Sequence, residues 1–208
     1  MLKKMVAVLG AALCLTMGLT ALASAQDYKK FQFGLKGVYV LPDDNLNNTL
    51  GGARIDADVT PGIDLAYFFT KNVSAELFAA ATHHDIRLGG ETIGSTWLLP
   101  PTLTVKFHPL AGQKISPYIG GGMNFTMPFN SRVDSSISSK LNIHNSVNWV
   151  AQGGVDFNVA ENIFFNIDYK YVNIDTQFAL GDGPAHLGGM YDLEINPHLF
   201  AAGVGVRF

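Results

Sequence analysis

Beyond residue 25 the chain contains no cysteine; the one in its 208 residues is Cys14. Disulfide staples and thiol chemistry are therefore excluded from everything after that point. Charge is scarce as well. Asp, Glu, Lys and Arg make up 15% of the residues and sum to a formal net charge of -3. With a sequence pI near 6.0, the basic footprint of a nucleic-acid binder is missing. A third absence says more. After residue 25 no apolar run approaches the ~20 residues of a transmembrane helix, although 48% of the chain is hydrophobic. Apolar residues that are abundant yet dispersed belong to strands.

The one long apolar run comes first. Lys3 and Lys4 make a basic start, Met5 to Ala23 is apolar, and Ala23-Ser24-Ala25 supplies the small-x-small pattern read by a signal peptidase. Residues 1–25 are thus expected to be a cleaved signal peptide, with an uncleaved anchor as the alternative. Cys14 lies too deep in the run to be a lipid-attachment cysteine. Residues 26–208 are expected to form one exported domain.

Clusters of Pro, Gly, Asn and Asp divide that domain into eight alternating segments, near 29–41, 58–70, 73–87, 95–108, 115–128, 147–159, 162–176 and 193–208. In the first, Phe31, Phe33, Leu35 and Tyr39 share one face while Gln32, Gly34 and Lys36 share the other. The seventh sets Ile163, Phe165, Ile167, Tyr169 and Tyr171 against Asn166, Asp168 and Lys170. Side chains alternate sides along a strand, so each segment has an oily face and a face that carries charge.

The connections are sorted by length. Lys71-Asn72, Pro109 to Lys114 and Ala160-Glu161 are short; 42–57, 88–94, 129–146 and 177–192 are longer and polar. Short turns on one rim and long loops on the other mark an outer-membrane barrel rather than a soluble sandwich. The chain closes on Val204-Gly205-Val206-Arg207-Phe208, an alternating strand with a terminal aromatic, the form offered to the barrel-insertion machinery. The expected fold is an eight-stranded antiparallel transmembrane β-barrel with short periplasmic turns and longer extracellular loops. No periplasmic domain is expected after Phe208.

Other motifs carry little. Gly120-Gly121-Gly122 lacks the Lys-Ser/Thr and the helix of a phosphate loop. His83-His84 and the scattered His108, His144, His186 and His198 lack metal-ligand spacing, so neither a metal nor a cofactor is expected.

Several segments resemble the OmpW family of small outer-membrane barrels, to which the alkane-uptake protein AlkL also belongs. They are Thr60 to Phe68, Leu98-Leu-Pro-Pro-Thr-Leu103, Pro117 to Phe125, Gly154 to Phe157, Asp168 to Thr176 and Phe200 to Phe208. The resemblance implies passive movement of small hydrophobic molecules through the outer membrane, with solute taken in at the extracellular end and released sideways. An eight-stranded barrel is largely filled by its own side chains, so an open pipe is not expected.

Three sets of residues would serve that route. With aromatic faces outward, Lys36, Asp64, Glu76, Lys106, Asp156, Asp168, Lys170 and Arg207 fall inside as four acids and four bases. Charges so confined must pair or meet water, which suggests an ionic plug; pairs that only rigidify the barrel are the alternative. Pro100 and Pro101 donate no ladder bonds and are expected to border a lateral gap with Pro61, or else to form a shaping bulge. Ile86, Leu88, Trp97, Leu98, Leu99, Met127, Phe129, Val147 and Trp149 are expected to line an oily entrance, against the alternative of an aromatic girdle at the headgroups. The expected partners are outer-membrane lipid, lipopolysaccharide and the solute. A lipid-modifying enzyme and a structural or adhesive barrel are the competing functions; no serine stands two residues from His198 to make a nucleophile–base pair.

Overall fold

The computed structural model describes residues 28–43, 53–88, 91–133, 141–180 and 189–208. The expected signal peptide lies outside them. The described residues form β1 (Phe31–Leu41), β2 (Ala53–Ile55), β3 (Asp58–Thr70), β4 (Val73–Ala80), β5 (Thr82–Leu88), β6 (Glu91–Leu99) and β7 (Thr102–Phe107). The second half forms β8 (Ile115–Val133), β9 (Leu141–Ile143), β10 (Ser146–Asn158), β11 (Ile163–Val172), β12 (Ile174–Leu180), β13 (Gly189–Ile195) and β14 (His198–Arg207).

Eight of these close on themselves as an antiparallel barrel in the order β1, β3, β4, β7, β8, β10, β11, β14. Closure is what a membrane demands, because an unpaired sheet edge in hydrocarbon costs several kcal/mol per group. β2, β5, β6 and the upper part of β8 extend one wall beyond the barrel, while β9, β12 and β13 pair as a separate small sheet. Both extensions stand on the side of the long connections. At the other end β1 meets the chain terminus, with Phe31 and Phe208 exchanging backbone hydrogen bonds of 2.9 Å.

Four strands expected to be continuous are interrupted, and three of the interruptions have local causes. Pro100-Pro101 separates β6 from β7, and Asn196-Pro197 separates β13 from β14, because proline has no N–H for the ladder. Asn173 separates β11 from β12 by turning its own N–H to the Trp149 carbonyl at 3.1 Å. Ala81 separates β4 from β5.

The alternation is inside-out relative to a soluble protein. Along β1, Gln32, Lys36, Val38 and Val40 are buried, while Leu35 is 52% and Tyr39 43% exposed. The same parity leaves Val105, Ile119 and Ile167 on the outer surface, where lipid rather than water receives them.

The lumen is narrow enough that glycine is compulsory in places. A Cβ on Gly122 would run into the Leu103 carbonyl of the neighbouring strand, and one on Gly154 into the Tyr118 ring. The Leu103 carbonyl is backbone and cannot give way. Gly122→Ala is therefore expected to destabilise the barrel by about 1–3 kcal/mol, read as a lowered urea midpoint for unfolding from lipid vesicles. Gly37→Ala, with only the Ala202 carbonyl oxygen 4.0 Å from the new methyl, is the control expected to leave the midpoint in place.

Candidate functional site: the lumen and its wall

Strand parity decides the contents of the lumen. All eight charged side chains expected inside lie there and form one connected network. Glu76, on β4, is its hub: Lys106 Nζ stands 2.6 Å from one carboxylate oxygen, Lys170 Nζ 3.1 Å from the other, and Lys36 Nζ 4.0 Å away. Gln152 Nε2 donates to the same carboxylate at 2.9 Å and to Asp168 at 2.7 Å. Asp168 also receives Lys170 at 2.5 Å and a hydrogen bond from the Tyr118 hydroxyl. Toward the periplasmic rim Arg207 meets Asp156 at 2.5 Å, Asn158 at 2.8 Å and Gln32 at 3.0 Å. Gln32 donates in turn to Asp64, whose other oxygen lies 3.4 Å from Lys36.

Aromatic faces complete the shell. Lys170 lies 4.5 Å from the centre of the Phe78 ring, Lys106 4.5 Å from that of Tyr118, and Arg207 4.5 Å from that of Phe164. Such cation–π contacts strengthen when water is excluded. Four acids and four bases thus neutralise one another with little exposure to solvent.

Above this layer the lumen changes character. Val38, Val40, Ala80, Leu98, Val150, Val172, Ile174, Ile195 and Leu199 are buried, and all continue the inward parity of the charged residues on the extracellular side. Phe78, 1% exposed, sits at the boundary with Lys170 against its ring. The bore is therefore a largely aliphatic cup standing on a charged floor, with the buried polar side chains of Thr60, Thr82, Thr96, Asn124 and Thr126 set into its wall on β3, β5, β6 and β8.

This corrects the expected entrance. Of its residues, Leu98 points inward, whereas Trp97 (36% exposed), Met127 (40%), Val147 (55%) and Trp149 (53%) face outward and do not line the bore. Leu99 is half-buried. Register is the reason: Leu98 pairs with inward Pro128, and one residue either way faces the membrane. Trp97 packs on His83 at 5.0 Å and Trp149 on Tyr171 at 5.4 Å, between ring centres, the arrangement of the girdle alternative. The side chains of Ile86, Leu88 and Phe129 lie outside those described. The cup was legible in the parity of strands already recognised, since Val38 and Val40 follow Lys36, and Val172 follows Lys170.

Between β4–β5 and β6–β7 the wall carries a local break. β4 and β7 are paired up to Phe78 opposite Thr102, and β5 and β6 resume at Thr82 opposite Leu98. The register is the same on both sides, so Ala79, Ala80 and Ala81 are left facing Pro101, Pro100 and Leu99 without ladder pairs. Each lip is held from behind. Asn124 Nδ2 donates to the Pro100 carbonyl at 3.2 Å and the Phe125 N–H to that of Pro101 at 2.9 Å. On the other side the β3–β4 ladder ends at Gly62 opposite Ala80, so Pro61 comes beside Ala81, whose carbonyl takes the Thr60 hydroxyl at 2.7 Å. All three prolines expected at a gap thus surround one segment of three alanines.

A closed eight-stranded barrel with this strand order and lumen invites comparison with known chains, and the model of the OmpW family matches residues 30–208. The chain belongs to the OmpW family. An outer-membrane protein from Sinorhizobium fredii, y4mB, is 33% identical over 86% of this chain and 80% of its own length. Outer membrane protein W of Vibrio cholerae is 31% identical over 81% of this chain and 84% of its own. The crystal structure of OprG from Pseudomonas aeruginosa superposes with a TM-score of 0.77 at 24% identity, covering 86% of this chain and 96% of OprG, and shows the same fold. As an OmpW-family barrel the chain resides in the outer membrane, so its oily outer wall faces lipid.

Proposed function

We propose that the barrel moves small hydrophobic molecules passively across the outer membrane, through the largely aliphatic cup and out sideways at the alanine segment. One arrangement carries this reading: the ladder break, bounded by Phe78 and Leu98, opens directly above the charged floor. A solute entering from the extracellular end meets the aliphatic side chains of β1, β10, β11 and β14 on one side and neutral threonine and asparagine side chains of β3, β5, β6 and β8 on the other, with no charge above the floor among the buried residues. It cannot continue downward without displacing paired charges, whose separation in a dry lumen costs several kcal/mol. The wall at Ala79–Ala81 offers only small side chains and no ladder bonds between its lips. The barrel works as a detour past the polar outer leaflet into the hydrocarbon, with no bond chemistry. Phe208, exposed beside Phe31 at the periplasmic rim, completes the reading as the residue offered to the insertion machinery.

The test is uptake of a panel of labelled alkanes, aromatics and fatty acids by a strain lacking the gene, with and without the restored protein. Restoration is expected to raise uptake of the hydrophobic members and leave that of a small sugar unchanged. Leu98→Asp places a carboxylate in the cup, and burying an unpaired charge there costs several kcal/mol. Uptake is expected to fall by at least about tenfold, the equivalent of 1.4 kcal/mol, while heat-modifiable gel mobility shows a folded barrel. Equal uptake with and without the protein across the panel overturns the proposal.

A further inference from the structure

On the wall opposite the break, centred four strands away on β14, the membrane-facing surface is not smooth. A furrow of about 500 Å³ crosses β3, β1, β14, β11 and β10. Its floor is made by Gly37, Gly153 and Ala202, and Tyr39, Phe200 and Tyr169 stand along its extracellular side.

The two glycines have no internal reason to be glycine. Inside the barrel the reason is visible: a Cβ on Gly34, Gly62 or Gly205 would strike Asp64, Phe78 or Phe164. A Cβ on Gly37 would meet no atom beyond its chain neighbours closer than 4.0 Å, and one on Gly153 none closer than 3.8 Å. Neither has a positive φ. Glycine in a strand interior weakens the strand and contributes no packing, so the room it leaves here serves something outside the fold.

Of the outward residues that line the furrow, Tyr39 and Tyr169 end in a polar group, both on the extracellular side, and His198 stands just beyond the lining. The Tyr169 hydroxyl and His198 Nδ1 lie 2.8 Å apart. The His198 ring packs on Tyr171 with 5.3 Å between centres, and Tyr171 on Trp149 with 5.4 Å. Outward Trp and Tyr in such a belt mark the membrane–water boundary, and this belt is on the extracellular side. From the imidazole and phenol tips the furrow descends past Phe200 to the bare backbone of Gly37 and the methyl group of Ala202. A second barrel pressed against this wall would have no use for a polar end. A lipid would, having a head at the boundary and a chain below it, and filling the furrow restores the dispersion contacts that an empty groove forfeits.

We infer that this furrow is a binding site for one acyl chain of lipopolysaccharide, with the Tyr169–His198 pair meeting the polar head through the hydroxyl and Nε2. The inference is independent of transport, since it concerns the wall opposite the break.

Native mass spectrometry of the protein extracted from outer membranes in mild detergent tests it. The unaltered barrel is expected to retain one lipopolysaccharide molecule. The double variant Gly37→Leu, Gly153→Leu is expected to retain at least about fivefold less, the equivalent of 1 kcal/mol. Gel mobility reports folding, and Ala202→Phe fills the same floor from a position that already carries a Cβ should the glycine variant fail to fold. In nanodiscs containing lipid A spin-labelled at a chain end, the Gly37 and Ala202 amide signals are expected to broaden more than those of Leu103 and Val105 on the opposite wall. Unchanged retention in the folded variants, broadening equal on both walls, or a furrow variant that abolishes a dimer while keeping its lipid would each overturn the site.

Discussion

Replacing Glu76 with glutamine is expected to cost the folded barrel about 3–5 kcal/mol, the usual penalty for removing one partner from a buried ionic group. The size follows from the position of the carboxylate. Glu76 lies within 4.0 Å of three ammonium groups, those of Lys36, Lys106 and Lys170. Glutamine keeps the shape but leaves the two closest, at 2.6 and 3.1 Å, facing a neutral amide with almost no solvent exposure. The eight-membered set would carry one excess positive charge. Lys36→Met is the informative contrast. Lys36 makes no hydrogen bond and stands 3.4 Å from Asp64, while Asp64 keeps its bond from Gln32, so a smaller loss is expected. Urea unfolding from vesicles, followed by Trp97 and Trp149 fluorescence and by gel mobility, measures both. A Glu76→Gln loss below about 1 kcal/mol, the scale of an exposed ion pair, would mean that water already shares the lumen and that no dry plug exists. Single-channel recording adds a second readout: the variant is expected to pass more current than the parent and to prefer anions.

The charged floor was legible in the sequence because it depends only on parity. Once Phe33 and Leu35 are turned to lipid, Lys36 must be inside, and Asp64, Glu76, Asp168 and Lys170 follow strand by strand. The largely aliphatic cup obeys the same rule, although the large aromatics nearby have the more obvious lining chemistry. Trp97 and Trp149 have the chemistry of a lining, but they occupy outward positions, and the small aliphatics Val38, Val150 and Val172 occupy the inward ones. The break was half legible. Pro100 and Pro101 announce a strand without donors, but nothing in Ala79-Ala80-Ala81 signals a lip; which strand faces the prolines is settled by register between distant segments. The furrow was not legible. Gly37 and Gly34 look alike in sequence, and only the built barrel shows that a methyl group would strike Asp64 at one and open space at the other.

A crosslink across the break is expected to bring uptake of hydrophobic solutes down to the level of a strain without the protein. Ala79 and Pro101 face each other in the continued register, both on the membrane side, so Ala79→Cys with Pro101→Cys spans the lips without intruding on the cup. Directly opposed residues of antiparallel strands have Cα atoms about 4.5–5.5 Å apart, within the roughly 4.4–6.8 Å that a disulfide spans. No cysteine follows Cys14, so the introduced pair has no competing partner within the barrel. Oxidation is expected to close the route and reduction to reopen it in the same cells, which separates gating from misfolding. Leu77→Cys with Leu103→Cys makes an equivalent bridge one step below, where the strands are already paired, and is expected to leave uptake unchanged in either redox state. The comparison turns on what each bridge restrains. Below Phe78 it duplicates existing ladder bonds; at Ala79 it ties two lips that share no ladder bonds with each other and are held only to their outer neighbours, by the β3 ladder and Thr60 on one side and by β8 with Asn124 and Phe125 on the other. Full uptake through the oxidised Ala79–Pro101 bridge would place the exit elsewhere in the wall and remove the role given to the prolines.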